Sequence, residues 1–441
     1  MIMSRYVRFG HAGRGFGALT RAVVCAAGLV GTLVGCHGLL DVSDPTLIQD
    51  KDIANAGGAN ARRLYSMVQL SAYVGNAARD VAIFTDEYSM ELRTVPTNPP
   101  WGRYDLDLDR RDESGLELLS ARNGNDAHLG TLNQIFIPTS LGIYAMRTYG
   151  ADSVKHEYLA QLFAVRAYAV LQIAEDMCSG FPLNDMNSAG QAILSGPVST
   201  DSAITYAIAQ TDSALANGHD STQFLNFARV IKGRALLDLG RYTDAAAAVT
   251  SVPTDFTYTT DPSTLGNSFF TTGTLVNAVG NREGGTGLPF VTAQDPRVLS
   301  AFKQVRFSNH ADSLYIQKKY TSQTDPMILS SGVEARLIEA EAALHASDPG
   351  GMIDILNTLR ATAGLTDLTV PATTDAQVDT LYRERAFWMY LTGRRLGDLR
   401  RLMRNYGRPA ASLYPMGTYP LGGTYGTATS IPFTAAAQGR Y

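Results

Sequence analysis

The thiol of Cys36 is the clearest chemical group in the sequence, because of what precedes it. Arg5, Arg8, Arg14 and Arg21 form a positive leader without an acid, and an apolar run from Ala22 to Val34 follows. That run is too short to span a membrane as a mature helix. It ends in Leu33-Val34-Gly35-Cys36, which looks like a bacterial lipobox. Small Gly35 leaves the bond before the cysteine open to a peptidase, and the thiol can take a diacylglycerol before cleavage. The expectation is a lipoprotein signal peptide over residues 1–35 and lipidation at Cys36, with a single domain over residues 36–441.

Aromatic rings are the next candidates. The sequence holds 21 Tyr and 16 Phe but 2 Trp. Trp388 falls on an apolar helical stripe, which leaves Trp101 in a proline-rich stretch with Pro96, Pro99 and Pro100. Prolines stiffen a loop and lower the entropy lost when a ring is held for stacking. Tyr104 can extend the platform, with Arg103 and Asn98 as hydrogen-bond donors, so the expected ligand site is Trp101, Tyr104, Arg103 and Asn98. The next place to look is Tyr258, Phe269 and Phe270.

Catalytic and metal motifs are incomplete in this sequence. His156-Glu157 lacks the second histidine of a metalloprotease, since Ala160 stands at that spacing. There is no nucleophile elbow and no phosphate loop, and the glycines between Gly10 and Gly17 fall in the leader. Asp105, Asp107 and Asp109 suggest a calcium loop, but Arg110 and Leu116 occupy positions that need Gly and a bidentate carboxylate. An alternating strand with Leu106 and Leu108 inward is the expected reading there. No cofactor, metal or catalytic residue is expected. Of the 3 Cys, Cys25 leaves with the leader and Cys36 carries lipid, so Cys178 has no partner for a disulfide. A net charge of −4 gives no basic surplus for nucleic acid.

Helical periodicity supplies the elements that must position these groups. Residues 57–80 read as a helix with Leu64, Met67, Val68, Ser71 and Val74 inward, followed by an irregular stretch from Thr94 to Asp126. A helix over 131–149 is expected to break near Pro138. Ser153–Met177 is strongly helical, with Leu159, Leu162, Phe163, Val170, Ile173 and Met177 on one face. Further helices follow over 200–217, within 227–252 and over 333–344 and 351–363. Gly233, Leu236 and Ala245 stand where a tetratricopeptide repeat has small or apolar residues. Helical repeats are thus expected over about 150–250 and 330–405. Residues 254–325, rich in Thr, Gly, Asn and Ser, read as an insertion of loop and short strand, and residues 406–441 as irregular coil. Along the last helices Val378, Leu381, Tyr382, Arg385, Trp388 and Met389 form a stripe that carries a charge needing a buried partner. Arg395 and Asp398 stand close enough to pair.

The order Glu384-Arg385, then Gly393-x-Arg395-x-x-Asp398-Leu399-x-Arg401, resembles the C-terminal signature of the SusD/RagB family, although Trp388 and Thr392 stand where that family usually has a carboxylate. Leu39-Leu40-Asp41-Val42 after Cys36 is similar to the family's start, and Ala340-Glu-Ala342 with Leu359-Arg-Ala-x-Ala-Gly364-Leu to its last repeat. The resemblance implies a mostly α, SusD-like fold: tetratricopeptide-like helical hairpins as scaffold, with an irregular loop and short-strand lobe. It implies an outer-membrane, cell-surface lipoprotein, not an enzyme. Such a protein binds an oligosaccharide or peptide and delivers it to a TonB-dependent SusC-like barrel. Two other classes stay open at this point: a surface glycan hydrolase or peptidase, and a repeat-based adaptor for a protein partner.

Overall fold

The structure is a computed structural model. It describes residues 54–90, 100–116, 127–219, 221–261, 266–270, 277–280, 287–307, 310–420 and 422–433. Cys36 and Asn98 lie outside them. Helices dominate: α1 (Ala56–Phe84), α2 (Pro100–Arg110), α3 (Ala127–Tyr149), α4 (Asp152–Asp176), α5 (Thr200–Asn217), α6 (Thr222–Asp238), α7 (Tyr242–Val249), α8 (Gly332–His345), α9 (Pro349–Thr362), α10 (Thr374–Trp388) and α11 (Arg395–Tyr406). Several starts are set by side-chain caps. Asn55 accepts from the Gly58 amide, Ser199 from Ser202, Ser331 from Glu334 and Thr373 from Ala376, each relieving a first-turn donor.

The core is built around α4. From Leu159 to Asp176 every residue is buried, Arg166, Gln172, Glu175 and Asp176 included. One inward face was expected. Instead α3, α5, α6 and α11 surround the helix, and its polar side chains are satisfied by partners from distant elements. Antiparallel neighbours follow in turn: α1 on α3, α3 on α4, α4 on α5, α5 on α6, α6 on α7 and α8 on α9. At the α6–α7 crossing a Cβ on Gly233 would lie 2.5 Å from Val249 Cγ1, so only glycine allows that approach.

Two helical readings need correction. Leu64 and Val68, expected inward, are each 47% exposed, whereas Ser66, Leu70, Ser71 and Val74 are buried. The buried face of α1 is chosen by small residues that admit close neighbours: a Cβ on Gly142 of α3 would lie 3.3 Å from Ser66 Oγ. Helix α3 runs on through Pro138, where a break was expected. Tertiary packing on both sides outweighs the lost main-chain bond there.

Strands are short and paired antiparallel: β1 (Tyr88–Met90) with β7 (Asn277–Val279), β2 (Phe181–Pro182) with β5 (Pro197–Val198), β3 (Asp185–Met186) with β4 (Ala192–Ile193), and β6 (Thr257–Thr259) with β10 (Ile328–Ser331). The longest pair is β8 (Ser300–Phe307) with β9 (His310–Gln317). The described part of 254–325 is thus loop and short strand, as its composition implies. Among the described residues no helix is long and apolar enough to cross a membrane.

Candidate functional site

The terminal helices fasten the insertion to the scaffold through buried charges. Between α10 and α11 the chain turns at Gly393, with φ +77° and Ala78 of α1 so close that a Cβ would meet it at 3.1 Å. The turn folds α11 back beside α10. Arg385 then meets Asp398 in two hydrogen bonds, Nε to Oδ2 at 3.1 Å and Nη2 to Oδ1 at 2.8 Å. Arg401 joins them, reaching Asp398 at 2.7 Å, Glu341 at 2.9 Å and Asp238 at 3.0 Å. Burial alone would raise the Asp398 carboxyl, but the Arg385 and Arg401 guanidiniums outweigh it and hold it below its usual range. Arg395 does not pair with Asp398, as its spacing suggested. It makes two bonds to Asp86 at the end of α1, at 2.7 and 2.9 Å.

The same helices hold the insertion. Glu384 receives Arg297 at 2.5 Å and Arg360 at 2.6 Å. Arg394 donates to the Leu329 carbonyl at 2.6 Å, Tyr320 Oη to the Leu391 carbonyl at 3.2 Å, and Lys319 to the Tyr390 carbonyl. Trp388 is half-buried, with the Arg297 guanidinium 5.1 Å from its ring centroid. Thr392 is buried and donates to the Met389 carbonyl. These helices anchor the fold.

Open aromatic rings lie on the β8–β9 ribbon. Phe302 and Tyr315 are cross-strand partners, with centroids 5.7 Å apart in an edge-to-face arrangement. They are 59% and 38% exposed, and Leu299 beside them is also exposed. The ribbon's base is rigid. Buried Gln317 donates to the carbonyls of Phe269 at 3.1 Å and Tyr320 at 2.9 Å, and accepts from the Tyr320 amide. A ring pair held in register two residues above such an anchor has little conformational freedom to lose on binding. Edge-to-face rings each leave an apolar face for a flat, CH-rich partner.

The residues nominated from sequence fall as follows. Pro100 starts helix α2, so the backbone of Trp101 and Arg103 lies in a first helical turn and not in an irregular loop. Residues 105–109 are likewise helix, not an alternating strand. Their alternating acids are drawn inward: Asp105 pairs with Arg79, and Asp109 accepts from Tyr419 Oη at 2.7 Å. Among the described residues no group of acids, histidines and cysteines could hold a metal ion. Tyr104 is half-buried, and its hydroxyl donates to Asp80 at 3.0 Å. Tyr258 and Phe269 are buried, Tyr258 stacked on Phe227 with centroids 4.0 Å apart. Helix α2 contacts β1, β1 pairs with β7, and β7 lies against β9. The Trp101 helix and the Phe302 ribbon are therefore linked through one small ribbon. Phe302 and Tyr315 were missed because neither stands beside a proline or a repeated motif. Polar and apolar residues do not alternate regularly from Ser300 to Phe307, so periodicity did not mark the strand either.

The SusD family matches residues 332–430, the stretch that contains Glu384, Arg385, Asp398 and Arg401. No curated protein sequence matches the chain. Among solved structures, surface glycan-binding protein A from Bacteroides uniformis superposes with a TM-score of 0.60 at 13% identity, covering 86% of this chain and 96% of that one. NanU of B. fragilis gives 0.58 at 13% identity, covering 87% and 99%. A SusD superfamily protein from Bacteroides thetaiotaomicron gives 0.58 at 12%, covering 82% and 95%. At these identities the likeness is one of fold.

Proposed function

The chain belongs to the SusD/RagB family, and from that premise we propose that it captures an oligosaccharide at the outer face of the outer membrane and delivers it to a TonB-dependent SusC-like barrel. In this reading residues 1–35 are the signal peptide, Cys36 carries the lipid, and residues 36–441 act as one binding domain. The observation that carries the reading is the open Phe302–Tyr315 pair on a ribbon whose base Gln317 ties to Phe269 and Tyr320. Aromatic faces suit the CH face of a pyranose, and a preorganised pair needs no catalytic group to bind it. In this reading Trp101, Arg103, Tyr104 and Asn98 contribute further contacts to the ligand. The name of the B. uniformis protein, a glycan binder, agrees with a sugar over a peptide.

The test is a calorimetric screen of the mature chain against polysaccharides, oligosaccharides and peptides. A saturable sugar response that Phe302→Ala abolishes supports the reading. A peptide response, or a sugar response that ignores both Phe302→Ala and Tyr315→Ala, overturns the assignment of the ligand or of its site.

A further inference from the structure

The outer face of α1 is apolar and open to solvent. Ala61, Leu64, Tyr65 and Val68 recur at i, i+3, i+4 and i+7 and are all exposed, Tyr65 at 54%. That spacing ordinarily marks the side of a helix that packs on a core. Here the core is met by the other side, through Gly58, Ala59, Ser66, Leu70 and Val74. Among the described residues the stripe is therefore surplus to the fold. Scattered exposed hydrophobics are ordinary, but a run of them along one helix face marks a contact surface.

Charge narrows what can cover this face. The chain carries a net charge of −4, yet α1 has no acid before Asp80, which is buried, and α3 packed beside it has none at all. Arg62 stands half-buried next to the stripe, and Arg147 is exposed on α3. Arg63 is turned inward, its guanidinium 3.9 Å from the centroid of the Tyr158 ring and bonded to Gln161 at 2.5 Å. A second copy of this face would set Arg62 and Arg147 against their own kind, with no acid on either helix to answer them. The surface suits an apolar partner that carries anionic groups at its boundary.

Position names that partner. The tether from Cys36, the expected site of lipid, to Ala54 spans at most about 65 Å even when fully extended. Val68 lies about 20 Å further along the helix axis, so the stripe occupies the tethered end of α1. A tether holds a weakly binding face at high local concentration against the surface it is rooted in.

We propose that the Ala61–Val68 face of α1 rests on the lipid bilayer, with Leu64, Tyr65 and Val68 at the boundary between headgroups and acyl chains and Arg62 and Arg147 toward lipid phosphates. Tyrosine favours that boundary, where its ring is buried and its hydroxyl stays wet. The choice of a bilayer over an acidic protein rests on the lipid-anchor reading of Cys36; the stripe itself does not. The contact adds to the anchor and fixes which side of the domain faces the membrane.

The experiment is co-sedimentation of residues 36–441, made with Cys36→Ser so that they carry no acyl group, with vesicles of phosphatidylcholine alone or mixed with phosphatidylglycerol at millimolar lipid. The expected result is at least fivefold more protein on the phosphatidylglycerol vesicles. The double variant Leu64→Glu/Val68→Glu, altered at two exposed positions, should lose at least fivefold of that binding with an unchanged melting curve, and Phe302→Ala should lose none. Equal binding to both vesicle types, binding to neither, or full binding by a folded double variant each overturns the proposal. So does a dimer, seen by sedimentation velocity without vesicles, that the double variant dissociates. In cells a photo-crosslinking residue at position 65 should label lipid, and labelling of protein alone overturns the proposal in favour of a protein partner. Should the double variant fail to fold, the vesicle preference and the crosslink decide. A protein that binds the vesicles but is found without lipid at Cys36 in cells sinks the anchor reading and keeps the lipid-binding face.

Discussion

Arg385 of α10 and Asp398 of α11 face each other across the Gly393 turn in a two-bond pair with both side chains buried. The pair closes the terminal helices into a single unit. Removing one partner leaves the other charge in a dry environment, which typically costs about 3–5 kcal/mol. Arg385→Ala should therefore unfold at a much lower denaturant concentration. An unchanged urea midpoint would show that the stripe carries no buried charge.

His128 predicts a pH dependence. Its ring lies between Asp80 at 3.1 Å and Asp176 at 2.9 Å. Burial opposes its charge, but its hydrogen bonds to Asp176 and Asp80 prevail and raise the imidazole to about 9. In the unfolded chain it titrates near about 6.5. The folded state thus holds a proton that the unfolded state releases. The stabilisation is complete below about pH 6.5 and is lost as pH rises through 9, at up to about 1.4 kcal/mol per pH unit. His128→Gln should be less stable at pH 6 and approach the parent at alkaline pH. Parallel stability curves for the two proteins between pH 6 and 9 would contradict the pairing.

The aromatic platform predicts binding losses without loss of fold. Phe302 and Tyr315 are open to solvent, so alanine at either should leave the melting temperature within a degree or two of the parent (an order-of-magnitude figure for surface changes). Sugar affinity should fall by about 1–3 kcal/mol, the range for aromatic anchors. Trp101→Ala is expected to behave in the same way. Tyr104→Phe should instead lose about 1 kcal/mol of stability through its bond to Asp80 and keep its affinity.

Lipidation is tested by Cys36→Ser. The variant should accumulate as unprocessed or soluble protein and take up no labelled fatty acid. Normal processing and membrane association would remove the lipobox reading.

The scaffold was largely legible in the sequence and the site only in part. Helical periodicity gave the positions of α4, α5 and α8, because that signal is local. The burial of Arg385 was legible from its place on an apolar stripe, while its partner was not. Asp398 rather than Arg395 as the key residue depends on the turn at Gly393, and Arg395 looks elsewhere, to Asp86. Residues 105–109 alternate like a strand because acids and leucines alternate. They are helix because Arg79 and Tyr419, far away in sequence, draw the acids inward. The openness of Phe302 is a property of how the ribbon leaves the scaffold, and no residue near it records that.

The bond between Arg395 and Asp86 joins positions 309 apart in the chain. Closing so large a loop costs entropy that grows with the logarithm of its length, and contacts of such separation slow folding. Helix α1 is made well before α11 and cannot complete its contacts until α11 has emerged. During synthesis the intervening chain therefore stays open and threadable, and it locks only once α11 has been delivered.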